Sequence, residues 1–127
     1  MPALAARPSP ALVALTDTLA RLLSNLREGL SRRGLDHPEE PIVTADRHVR
    51  LIRGAFRLCG AHTLGSLCGL MLEVISTADD RASTSLCHAL QSGCSALLAS
   101  LPSFQKAHAV PAGWLLPAWR ELAAQMP

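Results

Sequence analysis

Arg50-Leu-Ile-Arg-Gly-Ala-Phe-Arg-Leu-Cys-Gly-Ala61 is the stretch on which the reading of this chain turns. Wound as a helix at about 100° per residue, it sets Leu51, Ile52, Ala55, Phe56 and Cys59 on one broad apolar side and gathers Arg50, Arg53 and Arg57 on the other. Gly54 stands beside the arginines. A glycine inside a helix costs about 1 kcal/mol relative to alanine, so its place among charges points to close approach of a partner to bare backbone.

Working outward, the stretch sits in a helix that Thr44 can cap, with Asp46 near the positive end of the dipole, and that closes at Gly60. Upstream, Leu12, Leu15, Leu19, Leu22, Leu23, Leu26 and Leu30 recur at helical spacing and predict a first helix from Pro10 to Arg33, ended by Gly34. Pro38 and Pro41 make residues 35–42 a connector, and Pro2, Pro8 and Pro10 make residues 1–9 a flexible tail ahead of one domain over residues 10–127. Downstream, a third helix over residues 61–78 turns Leu64, Leu67, Cys68, Met71 and Ile75 inward, with His62, Ser66, Gly69 and Glu73 opposite. Thr77 or Asp79 caps a fourth helix over residues 80–101, which turns Leu86, Leu90, Cys94, Leu97, Leu98 and Leu101 inward and which Pro102 stops. After a loop over residues 103–113, a short last helix over residues 114–125 presents Trp114, Leu115, Ala118 and Leu122, with Pro117 tolerated in its first turn.

The predicted fold is therefore all-α: an up-down antiparallel four-helix bundle with a short additional C-terminal helix. Composition agrees. The chain has 127 residues, 49% of them hydrophobic, yet only two Trp, two Phe and no Tyr, which suits helices packed through Leu, Ala and Val. A net charge of +2, with bases and acids interspersed and no aromatic platforms, gives no reason to expect nucleic acid. No apolar run reaches the roughly 18 residues of a membrane span, and the opening Met-Pro-Ala-Leu-Ala-Ala-Arg lacks a signal-peptide pattern, so the expected location is cytoplasmic. Cys59, Cys68, Cys87 and Cys94 lack CxxC spacing and His companions, and read as buried free thiols; neither a metal nor a cofactor is expected.

The Arg50–Ala61 stretch resembles the signature of histidine phosphotransfer (Hpt) domains, where a helix reads His-x-x-Lys-Gly-Ser and continues through an apolar segment to a second Gly-Ala. By that resemblance Arg53 takes the lysine's place, Gly54 the glycine's, Ala55 the serine's and Gly60-Ala61 the later pair. Arg50 stands where the phosphorylatable histidine would. A run of the form Arg-Gly-Ala-x-x-Leu-x-Gly-Ala also resembles the degenerate Hpt-like modules at the N-terminal end of FimL- and ChpA-type proteins of type IV pilus chemosensory systems, and Trp114-Leu-Leu-Pro-Ala-Trp-Arg-Glu-Leu122 is similar to their C-terminal Leu-Leu-Pro and helix. The resemblance spans Arg47 to Leu122 and implies a bundle that docks the receiver domain of a response regulator or a polar scaffold protein in twitching-motility signalling.

A guanidinium stays protonated and cannot attack phosphorus, so Arg50 in the nucleophile's place excludes catalysis there. The expected function is a non-catalytic interaction module whose partner-binding residues are Arg50, Arg53, Gly54 and Arg57, with Gly65 as a matching small residue on the next helix. The alternative is phosphotransfer through another histidine. His62 opens His-Thr-Leu-Gly-Ser66, which mimics the motif without its lysine, and His48 lies two residues before Arg50, about 200° round the helix toward its apolar side. His37, His88 and His108 read as surface residues. A third reading is a homodimer formed through Trp114, Leu115 and Trp119.

Overall fold

The structure, a computed structural model, describes residues 9–32, 40–78 and 83–127. Residues 1–8 of the expected tail over residues 1–9, residues 35–39 of the expected connector with His37, and the expected helix signals at Gly34 and Asp79 lie outside these. The described residues form five α-helices, α1 (Pro10–Arg32), α2 (Glu40–Leu58), α3 (His62–Thr77), α4 (Thr84–Ala107) and α5 (Leu116–Ala123), with one 3-10 turn (Ala112–Trp114) ahead of α5. No strand occurs among them.

Ser9 starts α1 by accepting the Leu12 N–H at 3.0 Å, which satisfies one of the donors that a helix N-terminus leaves open. Leu19, Leu23, Leu26 and Leu30 are buried, and Leu12, Leu15 and Leu22 pack half-buried beside them. The second helix begins at Glu40, earlier than the Thr44 cap predicted from sequence. Pro41 falls in its first turn, where the missing N–H is no loss, and Ile42 and Ala45 are fully buried, so the core holds that turn down.

The α2–α3 link is a Schellman turn. The Ala61 N–H donates to the Phe56 carbonyl at 2.8 Å and the Gly60 N–H to that of Arg57 at 3.3 Å, with Gly60 at φ 80°, a conformation that favours glycine. Phe56 and Ala61, the residues that flank such a turn with an apolar contact, are both buried. Ser83 caps α4, its hydroxyl accepting the Leu86 N–H at 3.3 Å, so α4 starts at Thr84 rather than residue 80.

Pro102 does not stop α4 as its chemistry suggests; the helix runs on to Ala107. Pro102 itself is exposed, while Leu101 and Phe104 on either side are buried. Their burial offsets the lost hydrogen bond. The helix instead ends at His108, left-handed at φ 56°, whose N–H returns to the Phe104 carbonyl at 2.8 Å. Of the residues that the last helix was expected to present, Leu115, Ala118 and Leu122 are buried and Trp114 is 54% exposed in the 3-10 turn; Leu115, offered with Trp114 and Trp119 as a dimer patch, is 3% exposed and belongs to the core.

Pairing follows from named contacts. Arg53 faces Gly69 and Phe56 faces Gly65, so α2 and α3 run antiparallel. Arg27 bonds Ser95 at 3.2 Å and Gln105 bonds Thr16 at 2.8 Å, so α1 and α4 do too. Further packing joins α1 to α2, α3 to α4, and α5 to both α3 and α4, around one core. The arrangement is compatible with a four-helix bundle carrying a short fifth helix.

All four cysteines are free, with Cys68, Cys87 and Cys94 buried and Cys59 half-buried. Burial pushes the Cys68 thiol up to about 12, an effect strengthened by Cys94 and opposed by Arg53. Burial pushes Cys94 up to about 12 as well, against the pull of Arg27. Unfolded thiols ionise near 9.0. Between these values the unfolded chain binds fewer protons than the native one, so stability is intact below pH 9 and falls as pH rises through this window, by at most about 1.4 kcal/mol per pH unit per thiol. Urea unfolding at pH 8 and pH 10.5 is expected to show a larger loss in the wild type than in Cys68→Ala/Cys94→Ala. Equal losses would mean that the native thiols ionise as they do in water.

Candidate functional site

The outer face of α2 is built from residues that its core set leaves over. Ala45, Val49, Ile52 and Phe56 are buried at helical spacing. Arg47, Arg50, Gly54 and Arg57 therefore turn to solvent, and all four are exposed. The Arg50 side chain is 64% exposed, and its Nε and one terminal nitrogen donate to the Asp46 carboxylate at 3.1 and 3.3 Å. An exposed pair one turn apart contributes only about 0.3–0.5 kcal/mol, so its role is to lay the guanidinium along the helix. Among the described residues Arg47, Arg53 and Arg57 form no ion pair, which leaves this face positive.

Arg53 is placed differently from its neighbours. It is half-buried and lies over α3: a Cβ built on Gly69 would stand 3.7 Å from its Nε and 3.8 Å from its Cζ. The same construction at Gly65 meets the Phe56 Cβ at 3.8 Å and the Arg57 Cγ at 4.0 Å. Gly65, grouped by sequence with the partner-binding residues, is buried. Gly65 and Gly69, one turn apart, form the floor on which α2 rests, so their small size serves the contact between helices. Clearance toward solvent survives at Gly54, where a Cβ would meet nothing within 4 Å.

The sequence reading missed the aliphatic part of the face. Leu51, expected in the core, is 63% exposed, Leu58 is 92% exposed and Val43 is 45% exposed. The signal was present: once residues 45, 49, 52 and 56 take the inner stripe, Leu51 and Leu58 fall together about a quarter-turn from Arg50.

The alternative histidines stand elsewhere. His48 is half-buried at a cleft of about 270 Å³ between α1 and α2, together with Asn25, Leu26, Gly29, Leu30, Pro41 and Thr44. His62, the first residue of α3, is exposed at the rim of two clefts, one running toward Phe104 and His108 and one of about 390 Å³ toward Leu115, Leu116 and Trp119. Among the described residues no arginine or lysine lines either cleft. His88 has a partner the sequence did not disclose: its Nε2 lies 3.3 Å from the Glu121 carboxylate on α5, at a polar cleft of about 770 Å³ bounded by α1, α4 and α5.

Among the described residues no three His, Cys, Asp or Glu side chains come together to hold a metal ion, and no helix is long and apolar enough to cross a membrane. Chemically, the α2 face can bind carboxylates and other anions through guanidinium donors, and a guanidinium offers no nucleophile. Comparison of the chain with family models, curated proteins and solved structures found no match.

Proposed function

We propose that the chain is a non-catalytic, Hpt-like interaction module, an up-down four-helix bundle with a short last helix. It docks an acidic surface, the receiver domain of a response regulator or a polar scaffold protein, in two-component or type IV pilus signalling. The observation that carries this reading is the outward placement of Arg50 on α2, one helical turn from a glycine with open space above it. An arginine at that point can hold carboxylates but cannot take a phosphoryl group. Charge on Arg47, Arg50 and Arg57 would steer an acidic partner, and added salt would weaken the encounter, the Debye length being near 8 Å at physiological ionic strength.

Two measurements test it. A purified receiver domain charged from a small phosphodonor is expected to leave no acid-labile phosphate on this protein; label lost in His62→Gln or His48→Gln would make it a phosphotransferase instead. Arg50→Glu/Arg57→Glu is expected to weaken receiver or scaffold binding about tenfold or more, with stability to urea lowered by only about 1–2 kcal/mol, because Arg50→Glu replaces the Asp46 pair by a like-charge contact and Arg57→Glu puts an acid in the last turn of α2 while the core is untouched. Arg53 is avoided in this test because it covers Gly69. Unaltered affinity would remove the arginine face from the function.

A further inference from the structure

We propose that the outer face of α2 receives an acidic amphipathic helix of the partner, whose aliphatic stripe lies over Leu51, Gly54 and Leu58 while its carboxylates meet Arg47, Arg50 and Arg57. The inference rests on the reading that this face docks a protein, and it names the element the partner must offer. Exposed leucines are ordinary one at a time. Here Leu51 and Leu58, 63% and 92% exposed, stand two turns apart on one line of the same helix, with Val43 at 45% on the neighbouring line.

Gly54 lies between the two leucines, and a Cβ there would meet nothing within 4 Å. Leucine, glycine and leucine at i, i+3 and i+7 make a ridge interrupted by a hollow, the relief into which a side chain of a crossing helix packs. Receiving a helix in this way is how apolar anchors at helical spacing are read. A disordered acidic peptide would use the arginines and leave the leucines in water.

Charge selects among the other occupants. A second copy related by two-fold symmetry would bring its own arginines against these, and the only acidic side chain described on the exposed part of α2, Asp46, is already engaged by Arg50. An anionic lipid surface would satisfy the arginines, yet an interfacial helix sinks a whole apolar face into the headgroup boundary, and the continuous apolar stripe of α2, Ala45, Val49, Ile52 and Phe56, is turned into the core, leaving only Val43, Leu51 and Leu58 outside. An acidic helix answers both the charge and the ridge.

The probe is a fluorescent glutamate-rich peptide of about 20 residues, long enough to hold helical structure, with leucines at i, i+3, i+4 and i+7. A peptide of identical composition with that pattern scrambled and vesicles of phosphatidylglycerol are run beside it. The full chain is expected to bind the patterned peptide about tenfold more tightly than the scrambled one, and Leu51→Ser/Leu58→Ser to lose about that factor without a change in unfolding midpoint. Equal binding of the two peptides overturns the inference, as does a leucine variant that binds like the wild type. Vesicle binding that the same leucine variant abolishes would assign the face to lipid and overturn it too. If Arg50→Glu/Arg57→Glu abolishes binding and the leucine variant does not, this inference fails while electrostatic docking stands; if neither variant matters, both fail.

Discussion

Replacing Phe56 by alanine is expected to lower stability by about 3–5 kcal/mol, a large share of the 5–15 kcal/mol that typically holds a domain together. Phe56 is fully buried on the inner face of α2, where its Cβ packs over Gly65 of α3. Alanine keeps the Cβ that faces Gly65, so the void is that of the ring itself, and the cost depends on how far the core around it can close. The hydrogen bond from the Ala61 N–H to the Phe56 carbonyl belongs to the backbone and survives the change, so the loss reports on packing alone. Leu58, two residues on, is the control: it is 92% exposed, and Leu58→Ala is expected to stay within about 0.5 kcal/mol. Urea titrations should show the Phe56 variant with a lower midpoint and an unchanged slope. Comparable losses from the two variants would mean that α2 is turned about its axis from the orientation described.

Gly93→Leu is expected to destabilise by the opposite route, through excess volume. A Cβ on Gly93 would stand 2.9 Å from the Met71 Sδ, 3.2 Å from its Cε and 3.3 Å from its Cγ, and Met71 is fully buried. Alanine at this position gains about 1 kcal/mol of helix propensity, which offsets the displacement of a flexible thioether, so Gly93→Ala is expected to be nearly neutral. Leucine adds three carbons for which the α3–α4 contact has no room, at a cost of about 1–3 kcal/mol. Combining it with Met71→Ala returns much of that volume. The double variant should therefore be more stable than the sum of its parts by about 0.5–3 kcal/mol in thermal or urea unfolding. Strict additivity would show that Met71 and Gly93 do not share a boundary.

These two sites mark what could be read from the chain alone. Phe56 was placed inward because Ile52 and Phe56 repeat at helical spacing, and the leucine stripe of α1 was legible for the same reason. Leu51 was misplaced because an apolar residue beside a stripe looks like part of it until the neighbouring helices fix how wide the stripe is. Pro102 was read as a stop on local chemistry, whereas Leu101 and Phe104, held by the core, carry α4 past it. The start of α2 moved from Thr44 to Glu40 for the same reason: burial of Ile42 outweighs the local cap signal. In the candidate site, the outward arginines and the clearance at Gly54 could be derived from periodicity. The burial of Gly65 and the draping of Arg53 over Gly69 depend on how closely two helices approach, which no single helix encodes. Ser95 as the partner of Arg27 and Glu121 as that of His88 were likewise invisible, since each contact joins residues far apart along the chain.

The Schellman turn at Gly60 bears on the order of assembly. It lets α2 and α3 find each other through a link of three residues, Cys59 to Ala61, with little loop entropy to overcome. Helix α1 must instead wait for α4, its bonds joining residues 68 and 89 positions apart. The central hairpin is thus expected to nucleate folding. During synthesis α1 leaves the ribosome before α4, and until α4 follows its leucine stripe has only α2 to pack against.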